Sequence, residues 1–187
     1  MKNENKKCIQ SEDPTIPNVD LQTVRTRWLQ WYNALRKGRG LPPYVYDPQL
    51  NRTADIWSAQ AANKGAISHA RSAKTSGYDY AAVRDWFQDE GLVFENISGI
   101  TFTENIGWGV YKCPNGNCTN AFLSGIRSTF DFYTAEEKKS YRPHWNSLVS
   151  PTFTRIGLGI AVKNGKYYLT VHYGTSITSD PPPVCGA

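Results

Sequence analysis

Hydrophobic residues in the first half of the chain recur at helical spacing. Val24, Trp28, Trp31 and Leu35 fall at i, i+4, i+7 and i+11, which is one face of a helix. That helix is predicted from about Val19, with Asn18 or Asp20 as its N-cap, and Gly38 and Gly40 end it. Residues 41–46, with two adjacent prolines, read as an extended connection. Asp47-Pro48 then supplies an N-cap followed by a proline suited to the first helical position. Leu50, Ala54, Trp57 and Ala61 repeat the apolar face, and Gly65 is placed to close the helix. A third helix is predicted over about 79–90, with Ala82, Val83, Trp86 and Phe87 as its apolar residues and Gly91 as its stop.

The spacing then changes. Residues 93–111 read as strands interrupted at Gly99, and a fourth helix starts near Thr119 or Asn120 with Phe122, Ile126, Phe130 and Tyr133 on one face. A short helical turn is expected over 136–141, stopped by Pro143. Residues 155–163 and 166–173, rich in Ile, Val, Leu and Tyr, flank Asn164-Gly165, the strongest short hairpin signal. Residues 1–17 read as a flexible arm, 18–178 as one folded domain, and 179–187 as a proline-rich tail. The element order predicts an α+β fold, with an antiparallel sheet sandwiched between helix layers.

Composition changes this picture little. A chain of 187 residues with 40% hydrophobic and 20% charged residues suits one domain with a sizeable core. The net charge of +5 favours anionic surfaces. Lys and Arg are spread along the chain rather than clustered, so a nucleic-acid partner is not expected. No stretch is long and apolar enough to span a membrane. Residues 1–20 hold no apolar signal core, so any secretory leader is expected to have been removed already.

Four cysteines do bear on compartment. Cys113 and Cys118 flank a turn-rich stretch, and Cys8 and Cys185 stand near the two ends of the chain. Four cysteines allow three pairings. Pairing by position gives Cys113–Cys118 and Cys8–Cys185, the second stapling the termini together. Nothing resembles metal-ligand CxxC spacing, so structural disulfides and an oxidising, extracellular compartment are expected.

Of the three histidines, His69 and His144 open distinctive segments, Ser68-His69-Ala70-Arg71 and His144-Trp145-Asn146-Ser147-Leu148. Glu104, in Thr103-Glu104-Asn105-Ile106-Gly107, and Glu137, in Glu136-Glu137-Lys138, lie between them. Two imidazoles and two carboxylates can hold a divalent metal, serve as acid and base, or satisfy one another as a structural cluster. His172, on the predicted last strand, is set aside as an ordinary strand side chain. Ser68 and Ser147 adjoin the motifs, but no nucleophile elbow is present.

These segments, in this order, resemble the CAP superfamily, also called the SCP domain, and more closely its bacterial members. The resemblance runs from Trp31-Tyr32-Asn33-Ala34-Leu35-Arg36 through Glu104-Asn105-Ile106-Gly107 and His144-Trp145-Asn146-Ser147-Leu148 to Arg155-Ile156-Gly157-Leu158-Gly159 and Tyr167-Tyr168-Leu169-Thr170-Val171. It implies a three-layer α-β-α sandwich with a cleft holding His69, Glu104, Glu137 and His144. Glu136 is the alternative to Glu137. The resemblance also implies a weakly bound divalent metal, zinc or similar, on His69 and His144. The expected protein is a secreted monomer that binds a lipid, sterol or cell-wall fragment. The alternatives are a metal-dependent hydrolase of peptide or glycan with Glu104 or Glu137 as base, and a purely structural tetrad. The family's usual cysteines are not reproduced, and the predicted helix over 78–91 is an addition that would border the cleft.

Overall fold

The computed structural model describes residues 14–71, 77–95, 97–113 and 115–181. In chain order it contains α1 (Leu21–Gly38), β1 (Val45–Tyr46), α2 (Pro48–Lys64), α3 (Tyr80–Asp89), β2 (Phe102–Val110), α4 (Thr119–Thr134), a 3₁₀ turn (Ala135–Lys138), α5 (Pro143–Leu148), β3 (Arg155–Lys163) and β4 (Lys166–Gly174). The four strands form one sheet in the order β1-β3-β4-β2, antiparallel except for the parallel β1–β3 pair. Strand β2 is therefore an edge strand.

The expected caps form. The Asp20 carboxylate accepts from Thr23 N, and Asp47 accepts from the N–H groups of Gln49 and Leu50. Gly65 closes α2 in the left-handed region at φ 72°, where a Cβ would be penalised. Asn164 and Gly165 both take positive φ, 53° and 70°. That is the twist a two-residue hairpin turn requires.

Strand alternation sends β3 and β4 side chains to two different helix layers. Ile156, Leu158, Ile160, Tyr167, Leu169, Val171 and Tyr173 pack with Val24, Trp28 and Tyr32 of α1 and Phe122, Ile126, Phe130 and Tyr133 of α4. On the other face, α2 lies against the sheet so closely that a Cβ at Gly157 or Gly159 would overlap its backbone at Leu50 and Ala54. Leu50, Val83 and Phe87 bury Leu92 and Phe102 on that face. The result is the three-layer α-β-α sandwich that the element order predicted. Ile16, within the segment read as an arm, is 6% exposed and joins the first of these cores.

Three local features differ from expectation. Residues 45–46 pair with β3, a bridge too short to leave a periodic signal. Beyond it, the N–H groups of Leu158 and Ile160 donate to Asn51 and Asp55 of α2, which covers the rest of that edge. Pro143 does not simply stop a turn: it is the first residue of α5, where its missing N–H costs nothing. The described residues between 93 and 101 contribute an isolated bridge, Phe94 to Ile177, rather than a strand, and β2 starts at Phe102.

Cys113 and Cys118 form a disulfide across Cα atoms 5.5 Å apart. Cys8 and Cys185 lie outside the described residues. No helix among the described residues is long and apolar enough to cross a membrane.

Candidate functional site

Consecutive residues of a strand point to opposite faces, and β2 uses this to hold one histidine segment on each side of the sheet. Glu104 faces the α2–α3 layer, where its Oε1 meets His69 Nδ1 at 2.8 Å. Asn105 faces the α4–α5 layer, where its Nδ2 donates to the His144 carbonyl at 3.3 Å and to the Tyr173 hydroxyl at 2.9 Å.

On the first face, Glu104 is the centre of a buried cluster. His69 follows the Gly65 cap of α2, and its loop is pinned by Trp57 Nε1 donating to the Ser68 carbonyl at 2.9 Å. Arg71 clasps Glu104 with both terminal nitrogens, at 3.2 and 2.5 Å, and also donates to the His69 carbonyl at 3.1 Å. Its guanidinium carbon lies 3.5 Å from the Trp57 ring centre and 4.5 Å from that of Trp86. Trp57 and Trp86 thus hold the charge by cation–π attraction while excluding water.

His172 completes this cluster. It stands opposite Glu104 in the β2–β4 register, and its Nε2 lies 2.8 Å from Glu104 Oε2. Its Nδ1 is 3.0 Å from the Thr53 hydroxyl. Both ring nitrogens are engaged, and the ring is fully buried. Burial pushes its basicity down against the pull of Glu104, while the Thr53 hydroxyl beside Nδ1 donates its own hydrogen to the Leu50 carbonyl at 2.9 Å. Burial also works against the charge of Glu104. Arg71, His172 and His69 together outweigh it and hold that carboxyl well below the usual carboxylate range.

The second face repeats the histidine–carboxylate pair with different elements. Glu136, in the 3₁₀ turn after α4, meets His144 Nδ1 at 2.7 Å and accepts from the backbone N–H groups of His144 and Trp145 at 2.9 and 3.3 Å. It thereby satisfies donors at the start of α5. Burial opposes the Glu136 charge, but His144 and those N–H groups lower its pKa. The Tyr133 ring stacks on His144 at 4.7 Å and 13°. Its hydroxyl lies where only a glycine at 107 leaves room. Burial drives that phenol well above its ordinary value, and the charges of Glu104 and Glu136 both add to the effect, which places Tyr133 within the field of both clusters.

Of the four residues expected to meet, His69 and Glu104 are bonded to each other, whereas His144, in α5, is reached on the other face through its carbonyl by Asn105, the next residue of β2. Glu137 points away: it forms an ion pair with Arg39 and is 41% exposed. A 3₁₀ turn sends neighbouring side chains about a third of a revolution apart, so Glu136 turns inward and Glu137 outward. Sequence reasoning passed over His172 and Arg71. Arg71 sits two residues after His69 and had a visible signal in its motif, whereas His172 becomes visible only through strand register.

His69 and His144 share one further property. Each gives Nδ1 to a carboxylate, and neither Nε2 has a partner among the described residues. Their side chains are 26% and 21% exposed. Exposed rings flank both: Tyr78 is edge-on to His69 at 5.4 Å, and Phe132 is edge-on to His144 at 5.9 Å. Neither neighbouring serine serves a histidine. Ser68 Oγ accepts from Ala70 N, and Ser147 Oγ donates to the Pro143 carbonyl.

The family model of the cysteine-rich secretory protein (CAP) family matches residues 29–173. The chain belongs to this family. Solved CAP structures share its fold at low identity. An outer surface protein from Borrelia burgdorferi superposes with a TM-score of 0.59 at 13% identity, covering 84% of this chain and 96% of that one. An extracellular SCP-domain protein from Bacillus anthracis gives 0.52 at 19% identity, covering 88% of this chain and 45% of that one. The CAP domain of enterococcal PrgA gives 0.52 at 19%, covering 85% and 65%. The chain thus spans less than half of the Bacillus protein. No curated protein matches the chain by sequence.

For this CAP domain, the donor set bears on the implied metal. Among the described residues, no three His, Cys, Asp or Glu side chains group as a metal-binding cluster. The fit is limited to the Nε2 atoms of His69 and His144, which have no partner among the described residues, each ring being oriented by a carboxylate at Nδ1. A cation there would take its remaining ligands from water or from a bound molecule.

Proposed function

We propose that this CAP domain is an extracellular binding module that takes its ligand around the edge strand β2, with His69 on one flank and His144 on the other. The observation that carries this reading is the matched pair of imidazoles, each held by a carboxylate at Nδ1 and offering Nε2 outward. A divalent cation on the two Nε2 atoms would supply a positive centre for a polar head group. Tyr78, Phe132 and Tyr141, which are 37%, 56% and 81% exposed, supply apolar contact for the body of a lipid, sterol or cell-wall fragment. The Cys113–Cys118 disulfide and the family assignment support an extracellular setting.

Binding is favoured over hydrolysis by the state of the carboxylates. A general base needs a free oxygen and a pKa near the working pH. Both oxygens of Glu104 are occupied by Arg71, His69 and His172, and its side chain has no solvent exposure. Both oxygens of Glu136 are bonded to His144 or to the start of α5. Each carboxylate orients a histidine and is spent in doing so.

Calorimetric titration of the protein with Zn²⁺, alongside His69→Ala and His144→Ala, tests the pair. The reading expects one weak site that either substitution abolishes. Zn²⁺ binding that survives both substitutions unchanged would remove the histidine pair from the account. Turnover in a peptide and glycan screen that is lost in His144→Ala would replace the binding module with a hydrolase.

A further inference from the structure

A separate cavity of about 340 Å³ opens at the far end of the sheet, between the end of α2 and the β3–β4 turn. Lys64, Lys163 and Lys166 line it, with Asn63, Asn164 and the buried side of Tyr168. No carboxylate lines it. Among the described residues, none of Lys64, Lys163 and Lys166 forms an ion pair with a carboxylate. The cluster of positive charge is therefore not neutralised locally.

The cations are placed by their neighbours. Lys163 Nζ donates to Asn63 Oδ1 at 3.3 Å. Lys166 Nζ lies 5.3 Å from the centre of the Trp108 ring. Trp108 stands opposite Tyr168 in the β2–β4 register, so the two share a face, and it is 52% exposed. The end of α2 would oppose an anion through its carbonyls. However, Gly65 N and Ala66 N already bond the carbonyls of Ala62 and Ala61, which blunts that effect. The opening is concave, so it admits one compact anionic group rather than a flat surface.

We propose that this cavity binds a sugar phosphate. The phosphate sits by the ammonium groups of Lys163 and Lys166, whose N–H groups donate to its oxygens, and Lys64, whose Nζ lies 5.8 Å from the centre of the Trp57 ring, adds positive charge from further off. The sugar ring lies against the exposed indole of Trp108, whose flat apolar face suits the C–H face of a pyranose. Trp108 is four residues along β2 from Glu104 and on the same face, about 14 Å away at strand spacing. This site does not depend on His69 or His144.

The test is a ¹H–¹⁵N NMR titration at low ionic strength with glucose 6-phosphate, inorganic phosphate, glucose and vesicles of anionic phospholipid. Glucose 6-phosphate is expected to shift residues 63–65 and 163–168 together with the Trp108 indole N–H. Phosphate is expected to bind more weakly without moving the indole, and glucose alone not to saturate. In Lys163→Gln/Lys166→Gln, whose substituted side chains are exposed, the dissociation constant should rise about tenfold while the thermal midpoint holds. His69→Ala should leave it unchanged. Equal binding of phosphate and glucose 6-phosphate with a silent indole would overturn the saccharide assignment. Binding unaltered in the double variant would overturn the site, as would no binding or shifts seen only with vesicles.

Discussion

Glu104 Oε2 and His172 Nε2 lie 2.8 Å apart across the β2–β4 ladder, both fully buried. This contact ties the edge strand to the sheet interior through side chains as well as backbone. It also spends one of the three histidines on structure. Arg71 supplies the counter-charge that makes the burial tolerable, because a lone carboxylate in such a place would cost several kcal/mol.

Glu104→Gln therefore acts mainly through Arg71. It leaves a guanidinium that is 3% exposed without its carboxylate, between two indoles. The expected loss is roughly 3–5 kcal/mol of folding stability, read as a lower urea midpoint with an unchanged slope. A double variant, Glu104→Gln with Arg71→Met, should recover much of that loss, since neither partner is then stranded.

Among the groups that make stability fall toward acid are two members of this buried cluster. The Glu104 carboxyl is held below its ordinary value of 4.5, so the unfolded chain binds more protons and the stabilisation is lost as pH falls below that value. His172 is held below its ordinary value of 6.5 by burial, and the sign is the same: its contribution is complete above 6.5 and is lost as pH falls below it. Urea unfolding measured from pH 8 to 3 should show stability declining in two stages, beginning below about 6.5 and steepening below about 4.5. His172→Asn should remove the upper stage and leave the lower.

Glu136 and Glu137 are adjacent and chemically alike, yet their substitutions should differ. Glu136→Gln weakens the His144 contact and the start of α5, with an expected cost of about 1–3 kcal/mol. Glu137→Gln removes an exposed ion pair with Arg39, worth at most about 1 kcal/mol. Thermal melts of the two variants make the comparison directly.

The architecture was legible because its signals are local. Asp47-Pro48, Gly65 and Asn164-Gly165 each name a specific backbone geometry, and the apolar faces of α1, α2 and α4 fix which side packs inward. Strand β1 left no signal because two residues have no period, and α5 left none because Pro143 starts a helix as readily as it ends one. At the site, the positions of His69, Glu104 and His144 could be read from motifs. The partnership of His172 with Glu104 depends on register across 68 residues, which no local pattern encodes. The choice of Glu136 over Glu137 depends on the phase of a four-residue 3₁₀ turn.

In the proposed function His69 and His144 face the ligand while His172 belongs to the fold. Imidazole ¹⁵N NMR during addition of Zn²⁺ distinguishes these roles. The Nε2 resonances of His69 and His144 are expected to move together while both His172 nitrogens stay in place. Movement of His172, or silence of the other two at saturating Zn²⁺, would contradict this assignment of roles.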